Sequence, residues 1–178
     1  MALKATIFKA NVQISDLDRH YYGQHDLVIA RHPSETDQRM LTRLIAFVLN
    51  AHPNLTFTKG LSTKEEPELW LKSDQGDIEL WIELGQPDEK RLRKVIKQSR
   101  QVIVYDMDSP NFEKWWLSLS KTLGNPSNLS IYSIAEAPVA ELAQSLERSN
   151  ELQATIQDDQ MWLSMGDVNV EIAPKRIQ

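Results

Sequence analysis

Between residues 66 and 97 the hydrophobic and polar positions of the chain change period. Leu69 and Leu71 alternate with Glu68, Trp70 and Lys72, and Ile78, Leu80, Ile82 and Leu84 alternate with Glu79, Trp81 and Glu83. Period 2 predicts two strands, each with one aliphatic face. A helix opens near Pro87-Asp88 and changes the pattern: at about 100° per residue Leu92, Val95, Ile96 and Ser99 share one side, and Lys90, Arg93, Lys94 and Lys97 the other.

The alternation also restricts how the two strands pair. Residues opposite one another in an antiparallel pair share a face, so the aliphatic rows match only where paired numbers add to an odd total. A two-residue loop through Asp74-Gln75 meets that condition, as does one through Gln75-Gly76, and the second places glycine where a type I′ turn needs positive φ. The second register sets Lys72 against Glu79, Trp70 against Trp81 and Glu68 against Glu83, the two carboxylates having Cβ atoms roughly 5 Å apart. Facing carboxylates share a proton, recruit a basic side chain or hold a metal, unless they splay apart on a solvated face.

The rest of the chain supplies a frame for this hairpin. Residues 2–14 and 22–31 read as two strands joined by a polar connection, with Ile7 beside Phe8 breaking phase and suggesting a bulge. His20, Tyr21, Tyr22 and His25 match no ligand spacing and read as a hairpin facing solvent. Ser34 with Asp37 predicts an N-cap box before an amphipathic helix with Met40, Leu41, Leu44, Ile45 and Val48 inward. A short strand at 55–58 and a polar loop at 59–66 lead into the acidic hairpin. After the basic helix come a β-branched core strand at 101–105, expected parallel to the strand before that helix, and a helix from Ser109-Pro110 to Gly124. Its Trp115 and Trp116 read as packing. A strand at 129–134, a helix at about 138–149 and a three-stranded meander complete a single domain, 1–178.

Composition narrows the chemistry. With 178 residues, 41% of them hydrophobic, the chain can build one real core. A formal net charge of -5 excludes a generally basic coat while allowing a local basic stripe. The absence of cysteine excludes disulfides, thiolate metal sites and a cysteine nucleophile. The first residues lack the apolar core of a signal peptide and no run is long enough to span a membrane, so the expected location is the cytoplasm. There is no glycine-rich phosphate loop, no paired histidine at metal spacing and no nucleophile elbow.

The order of helix, three strands, helix, strand, with Pro67-Glu68 on one strand and Glu83-Leu84-Gly85 on the next, resembles the PD-(D/E)xK nuclease core. The wording at 2–22, 30–51 and 81–99 resembles the bacterial YaeQ family over nearly the whole chain. That resemblance implies an α/β restriction-endonuclease-like fold with a mixed sheet, an N-terminal hairpin and a C-terminal meander. In the nuclease pattern Glu68 and Glu83 would hold Mg²⁺, or Mn²⁺ in its place, and an acid on the first helix sometimes joins them, making Glu35 and Asp37 candidates. Gly85 stands where that pattern has lysine. Lys90 on the following helix is the candidate replacement, with Gln86 a polar alternative. Lys94, Lys97 and Arg93 would meet a phosphate backbone. Two functions follow as expectations: a metal-dependent phosphodiesterase acting on nucleic acid, or a catalytically silent module on the same fold that binds nucleic acid or a protein.

Overall fold

The computed structural model describes residues 3–178, apart from the side chain of Ser62. Ala2, the first position of the expected opening strand, lies outside the described residues. The elements are β1 (Thr6–Asp16), β2 (Tyr21–Arg31), α1 (Asp37–Leu49), β3 (Leu55–Phe57), β4 (Leu69–Lys72), β5 (Ile78–Leu84), α2 (Glu89–Gln98), β6 (Ser99–Met107), α3 (Pro110–Leu123), β7 (Leu129–Ile134), α4 (Glu136–Gln144), β8 (Ser149–Gln157), β9 (Gln160–Met165), β10 (Val168–Ile172) and β11 (Lys175–Arg176). This mixed α/β fold divides into two compact units, one of the residues up to Ala51 with Ala135–Pro174, the other of His52–Ile134 with Lys175–Gln178.

The first unit is built on a sheet of order β10-β9-β8-β1-β2. Because β8 lies parallel to β1, the N-terminal hairpin and the C-terminal meander form one sheet. Phe8, Ala10, Val12 and Ile14 point inward, while the residues between them face outward. The bulge expected at Ile7 does not form: β1 and β2 pair without a break from Thr6↔Arg31 to Asp16↔Tyr21, and Ile7 is an outward residue 46% exposed. The cap of α1 also differs from the expected one. Thr36 Oγ1 accepts the Arg39 N–H at 3.1 Å, while Ser34 is engaged by His32 Nδ1 at 2.7 Å. Thr36 is therefore the N-cap and Asp37 the first helical residue, placing an acid in the first turn where the helix dipole favours it.

The second unit has a sheet of order β11-β7-β6-β5-β4-β3. Strands β5, β6 and β7 run parallel, with α2 crossing between the first two, as expected of a βαβ unit. Strands β3 and β4 are antiparallel additions beside β5. Trp81 packs in a core with Leu92 and Val95 of α2, Phe112 and Leu119 of α3, and Val102 and Val104 of β6. Trp115 and Trp116 pack against this core, and the Trp115 indole donates to the Pro87 carbonyl at 3.0 Å.

The β4–β5 register follows the matched rows through its centre: Leu69↔Ile82, Trp70↔Trp81 and Leu71↔Leu80. Its ends depart from the expected pairing. Gly76 N–H donates to Ser73 C=O at 2.9 Å and Ser73 N–H to Asp77 C=O at 2.9 Å, so the loop holds three residues with Gly76 at φ 92. A turn followed by a left-handed glycine replaces the two-residue type I′ turn. The extra loop residue sets Lys72 against Ile78. Lys72 Nζ lies 3.6 Å from the Trp70 ring centroid, and Glu79 pairs instead with Arg100 at 3.3 Å. At the other end Glu68 N–H donates to Ile82 C=O at 3.0 Å, so Glu68 sits beside Ile82 rather than squarely opposite Glu83.

Candidate functional site

On β5, everything from Leu80 to Leu84 is buried, including Trp81 and Glu83. The odd-numbered face, opposite the aliphatic row, is covered by the helices that flank a parallel strand. Glu83 is carried with it and is 5% exposed. Its Oε1 accepts the Trp81 indole N–H at 2.8 Å and Arg91 Nε at 2.5 Å. Arg91 Nη2 donates to the Glu66 carbonyl at 2.9 Å and Nη1 to that of Lys64. One guanidinium therefore ties the acid on β5 to the loop before β4, with its carbon 5.8 Å from the Trp81 ring centroid.

Helix capping holds Arg91 in that place. Asp88 Oδ1 accepts the Arg91 N–H at 2.8 Å, starting α2 so that its first turn stands over the end of β5. Arg91 precedes Val95 by four residues and so lies near the buried stripe, whereas Lys90 projects away from it.

Burial pushes the Glu83 carboxyl above its ordinary value. The bonds from Arg91 and Trp81 pull it down without cancelling that effect, and the Glu68 charge adds a further upward push. Glu68 is itself 5% exposed. Gly60, at φ +50, lies so close that a Cβ built on it would stand 2.7 Å from Glu68 Oε2. The turn Gly60–Ser62 thus packs its backbone onto the acid.

The remaining candidates are dispersed. Lys90 is exposed on the first turn of α2, and the cation on Glu83 is its neighbour Arg91. Gln86 donates to Asp106 Oδ2 at 2.9 Å. Arg93 Nε pairs with Glu89 at 2.7 Å, Lys94 Nζ with Glu65 at 2.8 Å, and Lys97 is exposed. Hydrogen bonding and ion pairing with these basic partners lower the carboxyls of both Glu89 and Glu65, Glu89 chiefly through its bond from Thr122. Glu35, in the first unit, accepts from Arg39 Nη1 at 2.8 Å and from Arg43 Nε and Nη2 at 2.8 and 2.7 Å. Asp37 pairs with Arg31.

Gly85 has φ +86, a conformation that strains any L side chain. Its N–H donates to the Tyr105 carbonyl at 2.9 Å, fixing that conformation against β6. A lysine at this position would have to adopt the same strained backbone. Arg91 was missed because it is a charge close to an apolar stripe. The signal was its spacing, four residues before Val95 and three after the cap Asp88, beside an acid that needed a cation.

The donor set does not fit a metal cage as it stands. Among the described residues no three or more His, Asp, Glu or Cys groups converge to hold an ion. Glu83 Oε1 is already committed to an indole and a guanidinium. Among the described residues no helix is long and apolar enough to cross a membrane.

The fold and this site together define a mixed α/β protein in which a buried acid near the end of a central parallel strand, Glu83, is clamped by an arginine from the following helix, with a second buried acid, Glu68, beside it. Residues 1–174 match the family model described as YaeQ protein, and the chain belongs to the YaeQ family. It is 44% identical over 172 residues to the uncharacterized protein YaeQ of Salmonella typhi, covering 97% of this chain and 95% of that one. The uncharacterized protein YaeQ of Escherichia coli strain K12 is 42% identical over the same length and coverage. The crystal structure of YaeQ from Xanthomonas axonopodis pv. citri superposes with a TM-score of 0.93 at 38% identity, covering 98% of both chains. That of YaeQ from Pseudomonas syringae gives 0.92 at 29% identity, covering 98% of this chain and 96% of that one.

Proposed function

We propose that this protein is a catalytically silent module on a nuclease-like core, which binds a phosphate backbone without cutting it. The observation that carries the reading is the Arg91 guanidinium on Glu83 Oε1, a fixed cation where a nuclease of this pattern would place its metal. Buried carboxylates need a counter-charge, and an arginine anchored also to the carbonyls of Lys64 and Glu66 supplies one without coordination chemistry. Binding would use the outward side of α2. Lys90 and Lys97 are exposed there, and Arg93 and Lys94 stand in exposed ion pairs, weak enough for phosphate oxygens to replace.

A second reading is favoured by one observation, the raised carboxyl of Glu83 beside the buried Glu68, since perturbed acids gather at catalytic sites. In that reading Glu68 and Glu83 would hold Mg²⁺ once Arg91 withdrew, and the ion would supply an activated water. Lys90 would stabilise developing charge, so Lys90→Ala would lower turnover by about 10².

The two readings separate in one set of experiments. Labelled single- and double-stranded DNA and RNA are incubated with Mg²⁺ or Mn²⁺, and binding is measured apart from cleavage at several salt concentrations. The silent module predicts no cleavage and salt-dependent binding, with Lys94→Ala and Lys97→Ala each flattening the log-log slope by about one unit. Metal-dependent cleavage by the wild type that Glu83→Gln abolishes would replace this reading with the second. Calorimetry with either ion gives an independent check, because heats that disappear in Glu83→Gln place that carboxylate in a metal site.

A further inference from the structure

The outward face of the five-stranded sheet is unlike an ordinary solvated face, and we propose that it binds a neutral oligosaccharide. One row of side chains crosses all five strands without a charge. Gln24 lies against Gln13, Gln13 against Gln153, Gln153 against Ser164, and Ser164 against Asn169. A groove of about 410 Å³ is lined by four of these residues, Gln13, Gln153, Ser164 and Asn169, together with Asn11 and Glu151 of the adjoining row. Solvated sheet faces carry charges of both signs for solubility, and asparagine is disfavoured in strands. Five neutral polar residues in register, ending on a strand asparagine, are explained by neither rule.

Their chemistry matches hydroxyl groups. An amide side chain offers two donors and one carbonyl acceptor, and a sugar hydroxyl both donates and accepts. Gln13 and Gln153 make no side-chain hydrogen bond among the described residues, so their capacity faces the groove. Flanking groups are held in place: Asn11 Nδ2 donates to Asp26 Oδ1 at 2.5 Å, Gln24 donates to Asn11 at 3.1 Å, and Ser164 Oγ donates to Asn169 Oδ1 at 2.7 Å. Acceptors and donors at the rim are thereby oriented before any ligand arrives.

The row on the far side, outside the lining of the groove itself, supplies apolar surfaces for sugar rings that extend beyond it. Tyr22 lies against Ser15, Ser15 against Thr155, and Thr155 against Trp162. Tyr22 is 63% exposed and Trp162 43%, so two large aromatic side chains are open to solvent on this face. They stand three strand spacings apart, about 14 Å, which suits an extended chain of linked rings better than a single sugar. The charges on this face are mainly acidic: Asp26, Glu151 and Glu171 against Lys9. They repel phosphate, so nucleic acid is excluded here, while carboxylates accept well from hydroxyls.

The test uses the full chain and three probes: maltohexaose, cellohexaose and the hexasaccharide of chitin. Each is titrated while the side-chain amide signals of Gln13 and Gln153 are followed by NMR. At least one probe should give saturable shifts of these signals, and Trp162→Ala should weaken binding about tenfold. Gln153→Leu, which roughly keeps the side-chain volume while removing the amide, should weaken it similarly while the backbone spectrum stays dispersed. The proposal is overturned if none of the three probes gives saturable shifts, or if the shifts persist unchanged in both variants. It is equally overturned if polylysine produces these shifts where none of the sugars does, since the face would then be an acidic docking surface for a basic chain.

Discussion

Glu35 and Glu83 are 6% and 5% exposed, and each meets an arginine, but the two are held differently. Both oxygens of Glu35 are engaged: Oε1 by Arg39 and Arg43, Oε2 by Arg43 at 2.7 Å and by the His32 N–H at 3.2 Å. Two cations serve one carboxylate, and Arg43 donates further to the Ala30 carbonyl at 2.8 Å. At Glu83 one guanidinium and one indole share a single oxygen, a second acid presses nearby, and the carboxyl stays above its ordinary value. The first arrangement over-determines a charge in the interior of its unit. The second leaves a charge only partly compensated, as functional sites do.

That contrast can be broken by removing the cations. Arg43→Ala strips Glu35 of its bidentate partner in a buried setting and should lower unfolding stability by about 3–5 kcal/mol, read as a shifted denaturant midpoint at unchanged slope. Arg91→Ala should cost less, about 1–3 kcal/mol, because the Arg91 side chain is 25% exposed and Glu83 can take up a proton when its partner is lost. If Arg91→Ala proves the more damaging, the clamp on Glu83 is the principal structural ion pair and the contrast is inverted. Restoring the nuclease pattern by Gly85→Lys should cost about 1–2 kcal/mol through its left-handed backbone and yield no cleavage activity. A gain of metal-dependent cleavage in that variant would mean that only the lysine is missing.

Legibility from sequence divides along the same line. In the sheet of the first unit β1 alternates buried and exposed, because one face meets core and the other water, and the hydrophobic pattern reports this directly. In the second unit the alternation of β5 set Trp81 and Glu83 opposite the aliphatic row and left open whether that face met solvent, and both are buried. Period 2 records which residues share a face and cannot record that helices cover the polar one. The register of the acidic hairpin was legible at its centre, where the aliphatic rows had to match. It failed at both ends, where a third loop residue and the close backbone contact of Glu68 with Ile82 took over. The acids were legible as a pair that needed a cation. The cation itself was sought on the basic side of α2, whereas it came from Arg91 near the apolar side.

The finest probe of the contrast is pH, because it moves protons without removing atoms. The folded-state carboxyl of Glu83 titrates above the ordinary glutamate value of 4.5 expected in the unfolded chain, because burial disfavours its charge. The folded protein therefore holds this proton more tightly, and the contribution to stability is fully present below the unfolded pKa. It is lost as pH rises through the raised folded pKa, since unfolding then releases the charge into water. Glu65 and Glu89, whose carboxyls are lowered, contribute in the opposite sense: their stabilisation is present above the unfolded value and fades as pH falls. Glu83→Gln removes only the first trend. Denaturant unfolding of wild type and Glu83→Gln, measured from pH 4 to pH 8, should therefore give a wild-type stability that falls relative to the variant as pH rises above 4.5. A difference that stays flat across that interval would mean that Arg91 fully compensates Glu83, leaving it as settled in its unit as Glu35 is in its own.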